Sequence, residues 1–292
     1  MQICCAGEVM LEMAATGTDG QYTRGVAGDS FNTAVYLARA GLAVSYLTRL
    51  GDDRYSADIV DALRAENIDD RFITTCPGRQ PGLYLIDNDP VSGERTFSYW
   101  REHAPARELF SAPLALGNVD VFYFTGITLA VTRADHDQLL KTLNELRAQG
   151  CRILFDPNYR AALWTNVAQA REHCRAVLPL CDTVLPTLED DRLLWSLESA
   201  SDSAAFYRDL GAEEVVVKGD ELNTLVISGG QRFEQRATPV QALDTSGAGD
   251  AFNAGYLAAR LQDEDVQTAV TQAQALAARV VQHRGAILPH ES

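Results

Sequence analysis

Residues 244–256, with the sequence Asp-Thr-Ser-Gly-Ala-Gly-Asp-Ala-Phe-Asn-Ala-Gly-Tyr, join a glycine-rich turn to the start of an alanine-rich helical pattern. Gly247 and Gly249, on either side of Ala248, let the backbone adopt conformations in which its amide hydrogens converge on one point. The N-terminus of the following helix adds partial positive charge there. The pattern therefore predicts an anion-binding site with Asp250 at its mouth. Such a pair suits phosphoryl transfer, because amides can hold the phosphoryl group while the carboxylate takes a hydroxyl proton.

A second interpretation of this stretch requires no chemistry. Asp250 could cap the N-terminus of the helix, and a G-x-G turn by itself is a weak signal. A carboxylate at a helix N-terminus is also expected to have a lowered pKa, which would make it a poor base. In a loose transition state a weak acceptor suffices, so Asp250 would then mainly orient the hydroxyl.

The thirteen residues 244–256 closely resemble the C-terminal signature of the PfkB (ribokinase-like) carbohydrate kinases. The resemblance implies that Asp250 is the catalytic base. It implies that Gly247, Ala248 and Gly249 form the anion hole that serves both catalysis and the binding of the ATP phosphates. It also implies ATP and Mg²⁺ as cofactors.

Residues 27–41 resemble the N-terminal sugar-binding motif of the same family, with Ala27 in place of the first glycine. Gly28 admits close backbone approach, and Asp29 and Asn32, one helical turn apart, can bond sugar hydroxyls. The alternative for Asp29 is a simple helix cap. Asn32 lies among apolar helix neighbours and requires a polar partner under either interpretation.

Residues 81–84 and 93–101 resemble the lid strands of 2-keto-3-deoxygluconate (2-dehydro-3-deoxygluconate) kinases. Alternation along a strand places Tyr99 and Arg101 on one face. A guanidinium binds a carboxylate through two hydrogen bonds, which a neutral sugar would not require. Tyr84 and Tyr99 offer hydroxyl groups on apolar rings, suited to a polyol chain. The alternative is an aromatic lid core with Arg101 as a solvated rim residue.

Arg160 is the second candidate for an anionic group of the substrate or for a nucleotide phosphate. It follows a predicted strand in residues 155–164, a segment that also resembles the 2-keto-3-deoxygluconate kinases, and the resemblance extends nucleotide contacts to Asn158. The alternative is a local ion pair between Asp156 and Arg160. Two arginines that converge on one pocket of an acidic protein favour a sugar acid over fructose or ribose.

On the nucleotide side, Lys218 and Gly219 resemble the family's loop for the ATP phosphates and ribose, although residues 220–223 are more acidic than the family pattern. Glu189 matches the last position of a family N-x-x-E motif that assists magnesium. Pro186 replaces the asparagine of that motif. The resemblance therefore implies a water-mediated contact between Glu189 and a magnesium ion carried chiefly by the ATP phosphates.

The elements that position these residues follow from length and periodicity. The 292 residues fit one large domain, 1–292, and repeated β-α units predict an α/β fold with a doubly wound, mostly parallel sheet. The resemblance implies that this fold is ribokinase-like. Such a sheet binds ligands at the carboxyl ends of its strands. Short β-rich pieces between 71 and 101 are separated by turn residues rather than helices, which predicts a small antiparallel β-sheet lid over about 12–26 and 71–103. The turns expected there are Pro77-Gly78, Asn88-Asp89-Pro90 and Ser92-Gly93.

Composition excludes several classes of protein. A net charge of −15 argues against nucleic acid or an anionic membrane as a partner. The start of the sequence leads to the expectation that there is no secretory signal, and no apolar run approaches the roughly 18 residues of a membrane span. Six cysteines without a C-x-x-C spacing indicate reduced thiols in a cytoplasmic protein, and five scattered histidines disfavour a zinc site.

The resulting hypothesis is an ATP- and Mg²⁺-dependent sugar-acid kinase that phosphorylates the 6-hydroxyl of 2-dehydro-3-deoxy-D-gluconate. The resemblance further implies a homo-oligomer formed through the lid. Two alternatives remain: a PfkB kinase for another small sugar such as fructose, and a non-catalytic sugar-sensing protein on the same fold. A nicotinamide dehydrogenase is excluded, because no G-x-G-x-x-G follows the first predicted strand.

Overall fold

A computed structural model describes residues 1–16, 18, 20–88 and 95–290 of the chain. The strands form one large and one small sheet. In chain order they are β1 (Gln2–Ala6), β2 (Met10–Ala15), β3 (Tyr22–Ala27), β4 (Ala43–Leu50), β5 (Ile73–Thr75), β6 (Leu83–Asn88), β7 (Arg95–Trp100), β8 (Val121–Thr125), β9 (Arg152–Asp156), β10 (Thr183–Val184), β11 (Glu214–Lys218), β12 (Asn223–Ser228) and β13 (Gln231–Arg236).

The large sheet has the strand order β13-β12-β11-β10-β9-β8-β1-β4-β5. Strands β11 through β5 in that order run parallel, whereas β12 and β13 add an antiparallel edge hairpin. The mostly parallel α/β sheet predicted from the sequence is therefore confirmed. All seven parallel strands direct their carboxyl ends to one edge, which is where loops can converge on a ligand.

Helices cover both faces of this sheet. They are α1 (Asp29–Arg39), α2 (Arg54–Ala65), α3 (Gly126–Val131), α4 (His136–Ala148), α5 (Val167–Val177), α6 (Leu188–Trp195), α7 (Ala200–Asp209), α8 (Ala248–Leu261) and α9 (Val266–Val280). Alternation along β1 shows the two layers: Ile3 and Cys5 pack into the core under α1, α8 and α9, whereas Cys4 and Ala6 pack into the core under α4 to α7. Because both faces are covered, residues 3–6 of β1 and 121–124 of β8 are buried and apolar without a break.

The small sheet is the lid, with the strand order β3-β2-β6-β7. β2 pairs antiparallel with β3, and β6 pairs antiparallel with β7, but β2 and β6 are parallel. The prediction that the lid includes the segment near residue 73 is wrong, because β5 pairs with β4 at the edge of the large sheet. A three-residue strand carries too little pattern to specify which sheet it joins.

Parts of the predicted lid lie outside the described residues, namely 17, 19 and 89–94. These include most of the two turns expected after residue 88 and the first two residues of the 93–101 motif. Within the described ranges, no helix is both long enough and apolar enough to cross a lipid bilayer. All six cysteines are free thiols, and every one except Cys76 is buried.

Candidate active site

A cavity of about 710 Å³ lies between the lid and the carboxyl edge of the large sheet. We call it the main cavity. Its volume is in the range of sites that hold small molecules. The predicted site residues that line it are Gly28, Asp29, Asn32, Tyr84, Tyr99, Arg101, Asn158, Arg160, Glu189, Lys218, Gly247, Ala248, Gly249 and Asp250. The fold therefore brings residues from both ends of the chain and from the lid to one place.

A second cavity of about 510 Å³, the side cavity, adjoins the first at the start of α8. Both cavities share Lys218, Ala248 and Gly249 among their lining residues. The side cavity is largely apolar beyond this junction, where Val240, Phe252, Ala277 and Val281 line it. Gly219 lines the side cavity, and its amide donates to the Asn223 carbonyl at 2.7 Å.

The glycine-rich turn forms the floor at the junction of the two cavities. Gly247 is the N-cap of α8 and has a φ of 71°, in the left-handed region. A Cβ there would lie 2.5 Å from Ala286 Cβ, so both conformation and space require glycine. Gly249 lies within the helix and would meet no atom within 4 Å if it carried a Cβ. Of these two glycines, only Gly247 has a conformation and surroundings that require the absence of a side chain.

Asp244 fixes this turn to the C-terminal segment. Its Oδ1 accepts from the Ser246 amide at 2.9 Å, and its Oδ2 accepts from the Gly285 amide at 2.8 Å. The turn leads directly into α8, and the first-turn amides of a helix have no carbonyl partners within the helix. Residues 247–250 line the main cavity, and the Ala248 amide donates to the Thr245 carbonyl at 3.3 Å. The helix dipole and the other first-turn amides are therefore placed to act on an anion in this cavity.

Asp250 lies in the first turn of α8 but does not cap it, because no side chain caps this helix. Its Oδ2 accepts a hydrogen bond of 2.8 Å from Asn32 Nδ2. The capping interpretation is therefore wrong, and Asp250 is the polar partner that Asn32 requires. The hydrogen bond joins α1 to α8 across the main cavity.

The pKa of Asp250 is raised to about 8, first by burial and then by the negative charge of Asp29. The hydrogen bond from Asn32 and the charge of Lys218 act in the opposite direction, while Asp156 raises the pKa further. The expectation of a lowered pKa is wrong, because burial and neighbouring carboxylates outweigh the helix dipole. Asp250 is consequently a stronger base than its position on the helix suggested.

Asp29 is not the cap of α1 either, because Gly28 occupies that position without a side-chain cap. Its Oδ2 accepts from Asn158 Nδ2 at 2.9 Å, and burial is the main cause of its raised pKa. Asn158 has a φ of 30°, and its backbone N–H donates to Asp156 Oδ1 at 3.0 Å. Asn158 lines the main cavity and is not among the lining residues of the side cavity.

Gly28 is needed for the packing of the chain on itself. Its φ of 176° is extended and unstrained, but a Cβ at this position would lie 2.5 Å from the carbonyl oxygen of Glu8. The close approach expected from the sequence is therefore made to the loop after β1.

Lys218 is a cation whose charge acts on the carboxyl group of Asp250. Its Nζ donates to Asn253 Oδ1 at 2.7 Å and lies 3.5 Å from Asp156 Oδ2. Asp156 therefore pairs with Lys218, whereas Arg160 lies 3.4 Å from Asp190 Oδ1. The alternative of a local pair between Asp156 and Arg160 is wrong.

At the lid end of the main cavity, Arg101 forms an ion pair between its Nη2 and Glu8 Oε2. Arg101 is only 9% exposed and Glu8 only 4%, so Arg101 is not a solvated rim residue. The Arg101 guanidinium lies 5.7 Å from the centroid of the Tyr99 ring. Tyr84 stacks on Tyr99 with ring centroids 5.7 Å apart, and its hydroxyl donates to Glu12 Oε2.

Four acidic residues that line the main cavity were not predicted as site residues from the sequence: Glu8, Glu12, Asp156 and Asp190. Glu8 and Asp156 stand at the carboxyl ends of β1 and β9, where a parallel sheet presents its ligand-binding residues. That position was the available signal for these two. Nothing in the local pattern distinguishes Glu12 or Asp190.

Glu189 is exposed in the first turn of α6 and lines both cavities. In the described part of the chain, no group of three or more histidine, cysteine, aspartate or glutamate side chains could hold a metal ion. Mg²⁺ commonly keeps several waters and binds through one or two carboxylates together with substrate phosphates. A single exposed carboxylate at the junction fits that mode, and it does not fit a dedicated protein cage.

Comparison with known proteins agrees with this geometry. The model of the family described as pfkB family carbohydrate kinase matches residues 2–292. A 2-dehydro-3-deoxygluconokinase of Escherichia coli (strain K12) is 36% identical over 306 aligned residues, covering 100% of this chain and 98% of that protein. A second, from Dickeya dadantii (strain 3937), is 35% identical and covers 99% and 97%. The crystal structure of a PfkB protein from Polaromonas sp. JS666 superposes with a TM-score of 0.84 at 28% identity, covering 96% and 95%.

Proposed function

The chain belongs to the pfkB family of carbohydrate kinases and is an ATP-dependent sugar kinase, and we propose that its acceptor is the 6-hydroxyl of 2-dehydro-3-deoxy-D-gluconate. The observation that carries this proposal is the arrangement of the main cavity. Asp250 and the amides of the Gly247 turn lie at one end, and Arg101 and Arg160 contribute to the lining of the same space.

At the reacting end, Asp250 accepts the proton of the acceptor hydroxyl. The amides of Gly247, Ala248 and Gly249 hold the transferred phosphoryl group, since all three residues line the main cavity and the last two also line the side cavity. Lys218, at the same junction, balances phosphate charge. The apolar side cavity takes the base and ribose of ATP, with Gly219 along its wall.

At the lid end, Arg101 and Arg160 receive the carboxylate. Arg101 uses Nη2 for Glu8, and its buried Nε has no partner among the described residues, so it can still donate to a second anion. Arg160 keeps about half of its side chain exposed and is held only loosely to Asp190. Gly28, Asp29, Asn32 and Tyr84 line the wall between the two ends and bind the sugar hydroxyls, together with Tyr99. The names of the relatives in Escherichia coli and Dickeya dadantii support the same substrate.

A kinase for a neutral sugar is the second candidate, and one observation favours it. Glu8 already neutralises Arg101, so the lid end does not present two unpaired positive charges. Two matched acceptors separate the candidates. 3-Deoxy-D-fructose carries a hydroxymethyl group where 2-dehydro-3-deoxy-D-gluconate carries its carboxylate, and the remaining carbons are the same.

The test is an ADP-release assay with both acceptors at equal concentrations. We expect kcat/KM for the sugar acid to exceed that for 3-deoxy-D-fructose by about 10²-fold or more, since a charged hydrogen bond contributes about 1.5–3 kcal/mol and two arginines are involved. Equal values, or a preference for the neutral sugar, would refute the proposed acceptor and leave the sugar kinase assignment intact.

Mg²⁺ accompanies ATP in this proposal, with Glu189 contacting it through water. The ion neutralises the phosphate charge during transfer. Removal of magnesium with EDTA is expected to abolish ADP release, and Glu189→Gln to raise the magnesium concentration required for half-maximal rate. An unchanged magnesium requirement in that variant would remove Glu189 from the site.

The lid also offers a surface for a second copy of the chain. β7 is an edge strand of the lid sheet, and Trp100 on it is 59% exposed. Exposed edge strands with apolar side chains tend to pair or to be covered. We propose a homo-oligomer through the lid in a cytoplasmic protein, a location that the free thiols support. Sedimentation of Trp100→Glu at assay concentrations tests it, and an unchanged molecular mass would refute the lid contact.

A further inference from the structure

Glu8 is a buried carboxylate that the proposed reaction does not use. It follows β1, lines the main cavity, and is 4% exposed. Its Oε2 pairs with Arg101, whereas its Oε1 is buried and has no hydrogen-bond partner among the described residues. Buried carboxylate oxygens without a partner are costly, so one at a ligand cavity indicates a partner that arrives with the ligand.

The surroundings of Glu8 keep it in place. A Cβ on Gly28 would lie 2.5 Å from the Glu8 carbonyl oxygen, and one on Gly82 would lie 2.9 Å from Oε1. Gly28, just before α1, therefore lies against the backbone of Glu8, and Gly82, just before β6 of the lid, lies against its carboxyl group. With that contact and an exposure of 4%, the Glu8 carboxyl group stays beside Arg101 when a second anion approaches.

Two carboxylates on one buried guanidinium leave a net negative charge inside the cavity. Such a charge is expensive, and a buried group commonly neutralises instead. Burial already raises the pKa of Glu8, although the Arg101 charge opposes this. The other charged groups that act on Glu8 are Arg107, which favours the ionised form, and Asp29 in α1, which disfavours it.

We propose that Glu8 is a specificity-determining residue that takes up one proton from solvent when the carboxylate of the sugar acid binds Arg101. The exchange is balanced: a free anionic sugar, the Arg101–Glu8 ion pair and one proton give a sugar carboxylate paired with Arg101 and a neutral Glu8 carboxyl. The new O–H can donate to the bound ligand. This inference rests on the proposed function, because it requires an anionic acceptor at Arg101.

In this scheme the ionised Glu8 neutralises the buried charge of Arg101 when the cavity is empty. Once Glu8 is protonated, Arg101 can pair with the carboxylate of the sugar acid. A neutral sugar leaves the ion pair intact and takes up no proton at Glu8. Affinity for the sugar acid therefore falls as the pH rises, by up to about tenfold per pH unit once Glu8 is ionised in the free enzyme. Affinity for a neutral sugar does not show this dependence.

The experiment is isothermal titration calorimetry of the full chain with 2-dehydro-3-deoxy-D-gluconate at pH 7, in buffers of different ionisation enthalpy. A non-hydrolysable ATP analogue and Mg²⁺ are held constant in every titration. We expect wild type to take up close to one more proton per bound sugar acid than Glu8→Gln. Glu12→Gln is the matched control, since Glu12 lines the same cavity but bonds Tyr84. It should take up as many protons per bound sugar acid as wild type.

Equal proton counts in wild type and Glu8→Gln would overturn the proposal and leave the substrate class standing. Failure of the sugar acid to bind wild type would overturn both. If Glu8→Gln does not fold, wild type is titrated with the sugar acid and with 3-deoxy-D-fructose instead. A difference close to one proton then supports the role of Glu8, and no difference refutes it.

Discussion

The two ends of the main cavity differ in the charged groups that lie beside their carboxylates. At the lid end Glu8 pairs with Arg101, and Glu12 accepts from the Tyr84 hydroxyl. Along the wall of the same cavity Asp190 pairs with Arg160. At the reacting end Asp250 stands near two other acids, Asp29 and Asp156, and one cation, Lys218.

The comparison shows that a carboxylate can serve as the partner of an arginine or as a proton acceptor, depending on its neighbours. Burial raises the pKa of both Glu8 and Asp190, and the guanidinium beside each of them opposes this shift and favours the ionised carboxylate. A carboxylate beside other carboxylates is held ready to take a proton, because ionisation adds to a negative charge already present.

Replacement of Asp250 by Asn should remove the proton acceptor at the reacting end. We expect kcat to fall by about 10²–10⁴-fold, the usual contribution of a general base, while ATP-analogue binding survives. Steady-state kinetics and calorimetry measure the two quantities. Activity within a few-fold of wild type would exclude Asp250 as proton acceptor.

Replacement of Arg101 by Ala should affect both stability and substrate binding, because it leaves Glu8 buried without its counter-ion. We expect a loss of about 3–5 kcal/mol in the free energy of unfolding. The KM for the sugar acid should rise far more than the KM for ATP. Chemical denaturation of the Glu8→Gln/Arg101→Ala double variant should recover much of the lost stability. A double variant no more stable than Arg101→Ala would contradict the pairing argument.

Gly247→Ala tests the backbone part of the reacting end. The variant forces a Cβ to 2.5 Å from Ala286 Cβ and a non-glycine residue into a left-handed conformation. We expect kcat to fall about tenfold or more, in line with about 1–3 kcal/mol of strain at the turn. Gly255→Ala is the control, since its Cβ would meet Ala273 Cα at 2.9 Å, away from both cavities. It should lower Tm while kcat is retained; an equal loss of kcat in both variants would point to general destabilisation.

The pH dependence tests the raised pKa of Asp250 directly. Asp250 accepts a proton only when ionised, so its pKa of about 8 predicts a rate that rises with pH up to that value. We expect kcat/KM of Glu8→Gln, in which Glu8 cannot titrate, to rise up to about tenfold per pH unit below the midpoint. Adding Asp29→Asn should move the midpoint to lower pH, because the Asp29 charge is the second cause of the shift. A midpoint that stays in place would contradict the contribution of Asp29.

The raised pKa of Asp250 also makes the stability of the fold depend on pH. The folded chain binds the Asp250 proton more tightly than the unfolded chain, in which the carboxyl has its ordinary pKa. The contribution of Asp250 to the free energy of unfolding therefore falls as the pH rises from about 4 to about 8. Denaturation curves of Asp250→Asn should show a flatter pH dependence than wild type over that interval.

The sequence by itself determined the features that depend on local patterns. Strand and helix periodicities predicted the parallel α/β sheet, and the motif at 244–256 located the turn and the helix that carries Asp250. Gly247 belongs to this class, since its left-handed conformation is a property of the turn itself. The membership of β5 in the large sheet does not, because three residues hold too little pattern to choose a partner strand.

Only the tertiary structure decided which charges face one another. Asn32 and Asp250 are 218 positions apart in the chain, and Glu8 and Arg101 are 93 apart, yet each pair is in direct contact. The pKa of a carboxyl group and the availability of a guanidinium depend on burial and on neighbours in space. Sequence spacing therefore identified the reactive residues but gave Asp250 the wrong direction of pKa shift and left Arg101 without its partner.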